Sequence, residues 1–163
     1  MPRTKQNEQT AGKQPPLDYD IANRLFFRLY QASNLMHKQG TRYVAEFGTT
    51  TQQWAVIGAL AHPSVIDRGM TVKTLIEFLG VSRQNLAILL NRLEDRRWTE
   101  RIKDREDGRS RRIRLTATGR SVWTAMQKPI EAFYTAALAD FSPDESATLY
   151  RLLDRLKTGL ATT

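Results

Sequence analysis

The sequence predicts a mainly α-helical fold that carries one small antiparallel β-hairpin, and three observations predict it. Apolar residues recur at spacings of three and four over six separate stretches, the period of amphipathic helices. Residues 101–103 and 112–115 alternate polar with apolar instead, and Asp107-Gly108 between them supplies turn chemistry. Capping residues, glycines and prolines punctuate the helical stretches where helices start and stop.

The 163 residues suffice for one domain, or one domain with helical extensions, and 40% hydrophobic content supports a real core. A net charge of +8 and a pI near 10.1 imply a polyanionic partner, nucleic acid first and anionic membrane second. Cysteine is absent, which excludes disulfides, thiolate metal sites, cysteine nucleophiles and thiol redox sensing together. Apolar runs fall far short of the roughly 20 residues a membrane span needs, and no secretory signal pattern opens the chain. A cytoplasmic location without membrane association is expected.

Residues 1–16 carry Pro2, Gly12, Pro15 and Pro16 among polar neighbours and are expected to form a disordered tail. Its Arg3, Lys5 and Lys13 can touch phosphates or simply remain solvated. From Asp18, a stripe of Ile21, Leu25, Leu29, Ala32 and Met36 predicts a helix, widened by Phe26, Phe27 and Tyr30. A helix apolar on more than one side faces more than one neighbour. It is expected to run to about Phe47, loosened at Gly40, and to end at Gly48.

Thr50 and Gln53 make a capping box for the next helix, which turns Trp54, Ile57 and Leu60 to one side and closes at His62-Pro63. After a loop containing Gly69, Thr71 caps a short helix with Val72, Leu75, Ile76 and Leu79. Gly80-Val81-Ser82 then leads into a helix from 82 to about 97, with Leu86, Leu89, Leu90 and Leu93 inward. Two short amphipathic helices joined by a tight glycine turn form a helix-turn-helix, and the hairpin follows directly as its wing. Thr116 caps a long helix through Val122, Met126, Ile130, Phe133, Tyr134 and Leu138, expected to bend at Pro129. Ser142-Pro143-Asp144-Glu145 opens the last helix with an N-cap, a proline at the first position and a reciprocal glutamate. Its stripe is Leu149, Leu152, Leu153, Leu156 and Leu160.

Residues 96–114 hold nine Lys or Arg against four acids, a net of +5. Alone, such a hairpin is an ordinary solvated loop; behind a helix-turn-helix it points at DNA. Burying the leucines of the preceding helix leaves Arg83, Gln84, Ala87, Ile88, Asn91, Arg92 and Asp95 outward, with Asn85 at the edge. Recognition helices contact base edges with their first turns, where Arg bonds guanine bidentately and Asn or Gln pairs with adenine. Ala87 and Ile88 can instead meet a thymine methyl. Arg92, Arg96 and Lys73 suit phosphates, which set affinity and register. In the wing, Arg109 is placed to reach a narrow minor groove, with Arg111 and Arg112 as backbone contacts; alternatively, Asp104 and Asp107 pair with some of these arginines, and an aspartate beside the tip can hold Arg109 in position.

No Gly-rich phosphate loop, HExxH or nucleophile elbow is present. His37 and His62 fall in different elements, and Asp104, Glu106, Asp107 and Gly108 lack calcium-loop spacing. No catalytic residue, metal site or cofactor is expected.

Three blocks, TTQQWAVIGAL (50–60), LGVSRQNLAILLNRLEDRRWTER (79–101) and DREDGRSRRIRLTATG (104–119), make the chain similar to the MarR family of bacterial winged-helix transcription regulators. The resemblance covers roughly residues 20–160. It implies a winged helix-turn-helix with N- and C-terminal dimerisation helices: residues 17–48 and 117–163 for dimerisation, 49–116 for DNA binding. Ser82 to Ile88 would take the major groove and Arg109 the minor groove. Such proteins are homodimers with interleaved terminal helices, which implies dimer contacts for Ile21, Leu25, Leu149, Leu152, Leu153, Leu156 and Leu160. The chain departs from the family pattern at Gly108, often a second basic residue, and at Arg97, commonly a glycine, so the left-handed cap there is expected to be missing or strained. Ala87 and Ile88 also stand where polar residues are common.

MarR-like regulators often bind phenolic or aromatic carboxylates in a cleft beside the DNA-binding lobe. The resemblance implies Asn34, His37, Arg42, Tyr43 and Trp54 as effector residues, Arg and His for a carboxylate and the rings for an aromatic body. The expected function is a dimeric regulator binding a pseudo-palindromic double-stranded DNA operator, a repressor released by a small aromatic acid or phenol. The alternative is a winged-helix architectural DNA-binding protein without an effector.

Overall fold

Helix α1 (Tyr19–Tyr43) starts on the Asp18 carboxylate, which accepts from the backbone N–H groups of Asp20 and Ile21 at 3.0 and 3.2 Å. The computed structural model describes residues 18–104 and 111–162. The expected tail over 1–16 therefore lies outside the described residues, as do the hairpin turn and Arg109. The chain divides into two compact units within α1, between Asn34 and Leu35. The N-terminal unit exposes Tyr19, Ile21, Leu25, Phe26, Phe27 and Tyr30.

In the second unit α1 continues to Tyr43, and a 3-10 turn, Ala45–Phe47, ends on Gly48 with a left-handed φ of 58°. Gly40 does not loosen the helix as its residue type suggested. It is buried in α1, and a Cβ there would lie 2.6 Å from Thr51 Cγ2 and 3.2 Å from the Trp54 ring. The glycine lets two helices approach closely; the α-helical run stops three residues later.

Helix α2 (Thr51–Ala61) carries the expected reciprocal capping box between Thr50 and Gln53. The two helices of the helix-turn-helix are α3 (Val72–Leu79) and α4 (Arg83–Asp95), capped by Thr71 and Ser82 through the N–H groups of Thr74 and Asn85. Gly80 between them has φ 65°, and its N–H closes α3 on the Ile76 carbonyl.

The sheet contains one strand more than the sequence suggested. Strands β2 (Thr99–Lys103) and β3 (Arg111–Leu115) pair antiparallel with Arg101 opposite Ile113, and β1 (Met70–Thr71) adds to the other edge of β3 with Met70 opposite Ile113. Two residues are too few to leave a periodic signature, so β1 read as loop. Gly69 makes the pairing possible: its φ is 71°, and a Cβ there would run into the Ile113 carbonyl.

Helix α5 (Ala117–Ala137) opens on Thr116 and runs helical through Pro129, and α6 (Pro143–Ala161) opens on the Ser142 and Glu145 capping box. The core joins Val56, Ile57 and Leu60 of α2 to Leu75 of α3, Leu86, Leu90 and Leu93 of α4, Ile113 and Leu115 of β3, and Met126 of α5. Burying such a side chain contributes about 1.5–3 kcal/mol, so the leucines of α4 fix which face of that helix is left outside. On α6, Leu149, Leu152, Leu153 and Leu160 remain exposed and Leu156 half-buried.

Candidate nucleic-acid interface and adjoining cleft

With Leu86, Leu89, Leu90 and Leu93 inside, α4 turns Arg83, Gln84, Ala87, Ile88, Asn91 and Arg92 to solvent. Ser82 is exposed and committed to the cap, its Oγ accepting from Asn85 N–H at 3.1 Å, while Asn85 is half-buried. The first turn thus offers Arg83 and Gln84, with the helix dipole adding positive character at the same end. Lys73 is exposed on α3 and lies 3.9 Å from Glu77 one turn on, a weak solvated pair that leaves its charge available to a phosphate.

The sequence could not sort the arginines of the wing region, and the structure does. Arg111 is exposed at the start of β3. Arg112, expected to contact the DNA backbone, is turned inward: its Nε donates to the buried Asp104 carboxylate at 2.7 Å and its guanidinium reaches the Gly69 carbonyl at 3.3 Å. That arginine ties the sheet together. Arg114 pairs with Glu100 directly across the strands, and Arg101 with Glu94, both at 2.7 Å.

Arg96 is likewise engaged within the fold. It donates to the Phe47 carbonyl at 3.0 Å and lies over the Trp98 ring, 4.2 Å from the centroid. At the end of α4 the second of the two expected alternatives holds: the left-handed cap is present, and Arg97, a residue with a Cβ, supplies it with φ 57°. Arg97 N–H bonds the Glu94 carbonyl and Trp98 N–H bonds the Leu93 carbonyl, the two bonds of a Schellman motif.

Behind α4 lies an apolar cleft of about 660 Å³, lined from α2 by Thr51, Gln52, Trp54, Ala55 and Gly58, and from α5 by Trp123, Phe133 and Tyr134. Met36 and His37 of α1 close one side, and Leu79, Val81 and Leu89 of the helix-turn-helix form the floor. Trp54 meets Phe133 edge-on, with ring centroids 5.9 Å apart, and Tyr134 at 5.8 Å. Polar atoms are few: the His37 imidazole pairs with the Thr51 hydroxyl at 2.7 Å, and burial raises the Tyr134 phenol above its usual range, so it stays a hydrogen-bond donor.

Of the expected effector residues, His37 and Trp54 line this cleft; Asn34, Arg42 and Tyr43 do not. Arg42 is exposed and bonded to Gln39 at 3.1 Å, and Tyr43 packs its ring on Phe133 at 5.5 Å. Sequence reasoning missed Gln52, Gly58 and Trp123. Trp123 approaches α2 at Gly58, where a Cβ would lie 3.0 Å from its ring.

Helix-turn-helix, antiparallel wing strands and a polar, basic outer face on the second helix together define a winged-helix DNA-binding protein. A sequence model of the MarR family matches residues 47–110. The chain is 48% identical over 143 residues to the transcriptional activatory protein BadR of Rhodopseudomonas palustris, covering 85% of this chain and 81% of that protein. The structure of overoxidized AbfR bound to DNA is similar with a TM-score of 0.68 at 26% identity, over 86% of this chain and 95% of that one. A mutant MarR from E. coli, solved in complex with operator DNA, shares the fold with a TM-score of 0.74 at 20% identity, over 86% and 98% of the two chains. The chain belongs to the MarR family, and it is a DNA-binding transcription regulator of the MarR type.

Proposed function

We propose that the protein acts as a homodimer on a pseudo-palindromic operator, and that a small phenolic or related aromatic compound in the cleft changes its hold on DNA. One observation carries this reading: Leu89, on the helix that presents Arg83 and Gln84 to solvent, is part of the floor of an aromatic-lined cleft of about 660 Å³. A ligand there touches the recognition helix itself. The two proposed dimer surfaces are the exposed Ile21 and Leu25 and, separately, the exposed leucine file of α6, since faces this apolar are ordinarily covered.

The ligand class narrows from acid to phenol. No Lys or Arg is among the described residues that line the cleft, so a free carboxylate there would lose hydration with no guanidinium or ammonium to replace it. His37, Thr51, Gln52 and Tyr134 instead offer hydrogen-bonding groups to one polar group on an aromatic body.

Repression was the expected direction of control. Activation is favoured by the 48% identity to a protein named as a transcriptional activatory protein. In a deletion strain, a reporter driven from the bound promoter falls if this protein activates and rises if it represses.

Footprinting tests the whole reading. Half-sites about one helical turn apart are expected, with protection altered by simple phenols that also quench tryptophan fluorescence through Trp54 and Trp123. Uniform binding to any duplex would favour the architectural alternative; specific binding untouched by every phenol and aromatic acid tried would remove the effector.

A further inference from the structure

The exposed face of α4 is layered. Its first turn presents Arg83 and Gln84, its third presents Asn91 and Arg92, and between them stand Ala87 and Ile88, with Ile88 47% exposed. At a spacing of four, Arg83, Ala87 and Asn91 form one file and Gln84, Ile88 and Arg92 another. Each file runs polar, apolar, polar.

Ile88 has no part in the core, which the same helix fills with Leu86, Leu89, Leu90 and Leu93. Nor does it line the cleft behind. A β-branched residue on a solvated helix face gains nothing from burial and is a poorer helix former than a straight polar chain. In a major groove it has one matching partner, because the C5 methyl of thymine is the apolar group that base edges display there. Ala87 beside it is small enough for the helix to seat closely.

We infer that Ile88, assisted by Ala87, is a specificity-determining residue that selects thymine through its methyl group, between bases addressed by hydrogen bonds from Arg83 and Gln84 and phosphates met by Arg92. The inference rests on the proposed sequence-specific use of α4 and names the base chemistry of that use.

The probe is the duplex that the full-length protein enriches from a randomised library. Each thymine of a protected half-site is replaced singly by deoxyuridine, which removes the methyl and leaves every hydrogen-bonding group of the base pair. At one or two positions per half-site Kd should rise about three- to fivefold, the worth of one buried methyl, and about ten- to twenty-fivefold when both half-sites are changed. Ile88→Ala, which alters both protomers, should weaken binding to the thymine duplex by about the factor seen when both half-sites carry deoxyuridine, and cancel the deoxyuridine penalty at the same position, the non-additivity that marks direct contact.

Ile88 is exposed and alanine favours helix, so the variant's thermal melt should match the parent's. If no position shows a deoxyuridine penalty, or if the penalty persists at full size in Ile88→Ala, the inference is overturned while sequence-specific binding stands. If the library yields no enriched sequence, sequence-specific binding itself falls and takes the inference with it.

Discussion

The Thr116 hydroxyl donates to the carbonyl of Arg97 at 2.6 Å while accepting from Gly119 N–H at 3.0 Å. One side chain therefore pins the last turn of the recognition helix to the first turn of α5. The residue it holds, Arg97, occupies the left-handed region in which a Cβ is strained.

Arg97→Gly should be stabilising. Relief of left-handed strain, about 1–2 kcal/mol, outweighs the greater entropy that glycine loses on folding, about 0.5–1 kcal/mol. A net gain of about 0.5–1 kcal/mol, seen as an upward shift in the thermal midpoint, is expected. An unchanged or lower midpoint contradicts the strain argument.

Arg111 and Arg112 should separate binding from stability. Arg111→Ala is expected to leave unfolding unchanged, to weaken DNA binding on all sequences alike, and to reduce the slope of log K against log salt by about one for each phosphate no longer neutralised. Arg112→Leu removes the guanidinium from Asp104 and the Gly69 carbonyl, and should cost about 2–3 kcal/mol of stability, less than a fully buried pair because the arginine keeps some exposure. Urea unfolding and salt titration of both variants check the contrast, which fails if they behave alike.

Gly119→Ala should be severely destabilising. Its Cβ would be driven into the Trp98 carbonyl, a backbone atom that cannot step aside. Overpacking of this kind costs about 1–3 kcal/mol or more, and a chemical melt within about 0.5 kcal/mol of the parent would contradict it.

Glu145 should contribute to the acid limb of stability. Backbone and side-chain hydrogen bonds from Ser142 hold its carboxyl below the ordinary value of 4.5. A carboxylate so depressed contributes stability above 4.5 that is lost as pH falls through the folded value, where the unfolded chain takes up the proton first. Glu145→Gln keeps a capping side chain and loses the titration, so its stability should vary less with pH below 4.5 than the parent's. Parallel acid limbs would show that the cap does not titrate in that window.

Features encoded within four residues were legible in the sequence. The capping boxes at Thr50 and Ser142, the cap residues Thr71, Ser82 and Thr116, and the turn at Gly80 each put a donor and its acceptor side by side in the chain. The outward face of α4 was equally readable, because four leucines at helical spacing leave only one side for Arg83, Gln84 and Ile88. What was missed depends on distant partners. Arg111 and Arg112 are identical as residues, and only the strand register that sets Arg112 beside Asp104 distinguishes them. Gly40 looked like a weak point because glycine destabilises an isolated helix; its use emerges only once Thr51 and Trp54 lie against it. The cleft was half-visible: His37 and Trp54 were expected, whereas Trp123 joins them only because α5 packs over Gly58.

Ile88 and Leu89 are consecutive residues, one exposed to solvent and the other lining the cleft. Under the proposed function, the vocabulary of operators and the vocabulary of inducers are written on opposite sides of one helix of thirteen residues. A lineage that enlarges the cleft at Leu89 to admit a bulkier compound will also shift the seat of Ile88, and must then repair its operator or its reading face. Changes in what such a regulator senses should therefore travel with changes in what it reads, and a swap of effector by substitution at Leu89 alone should leave a regulator that no longer fits its own promoters.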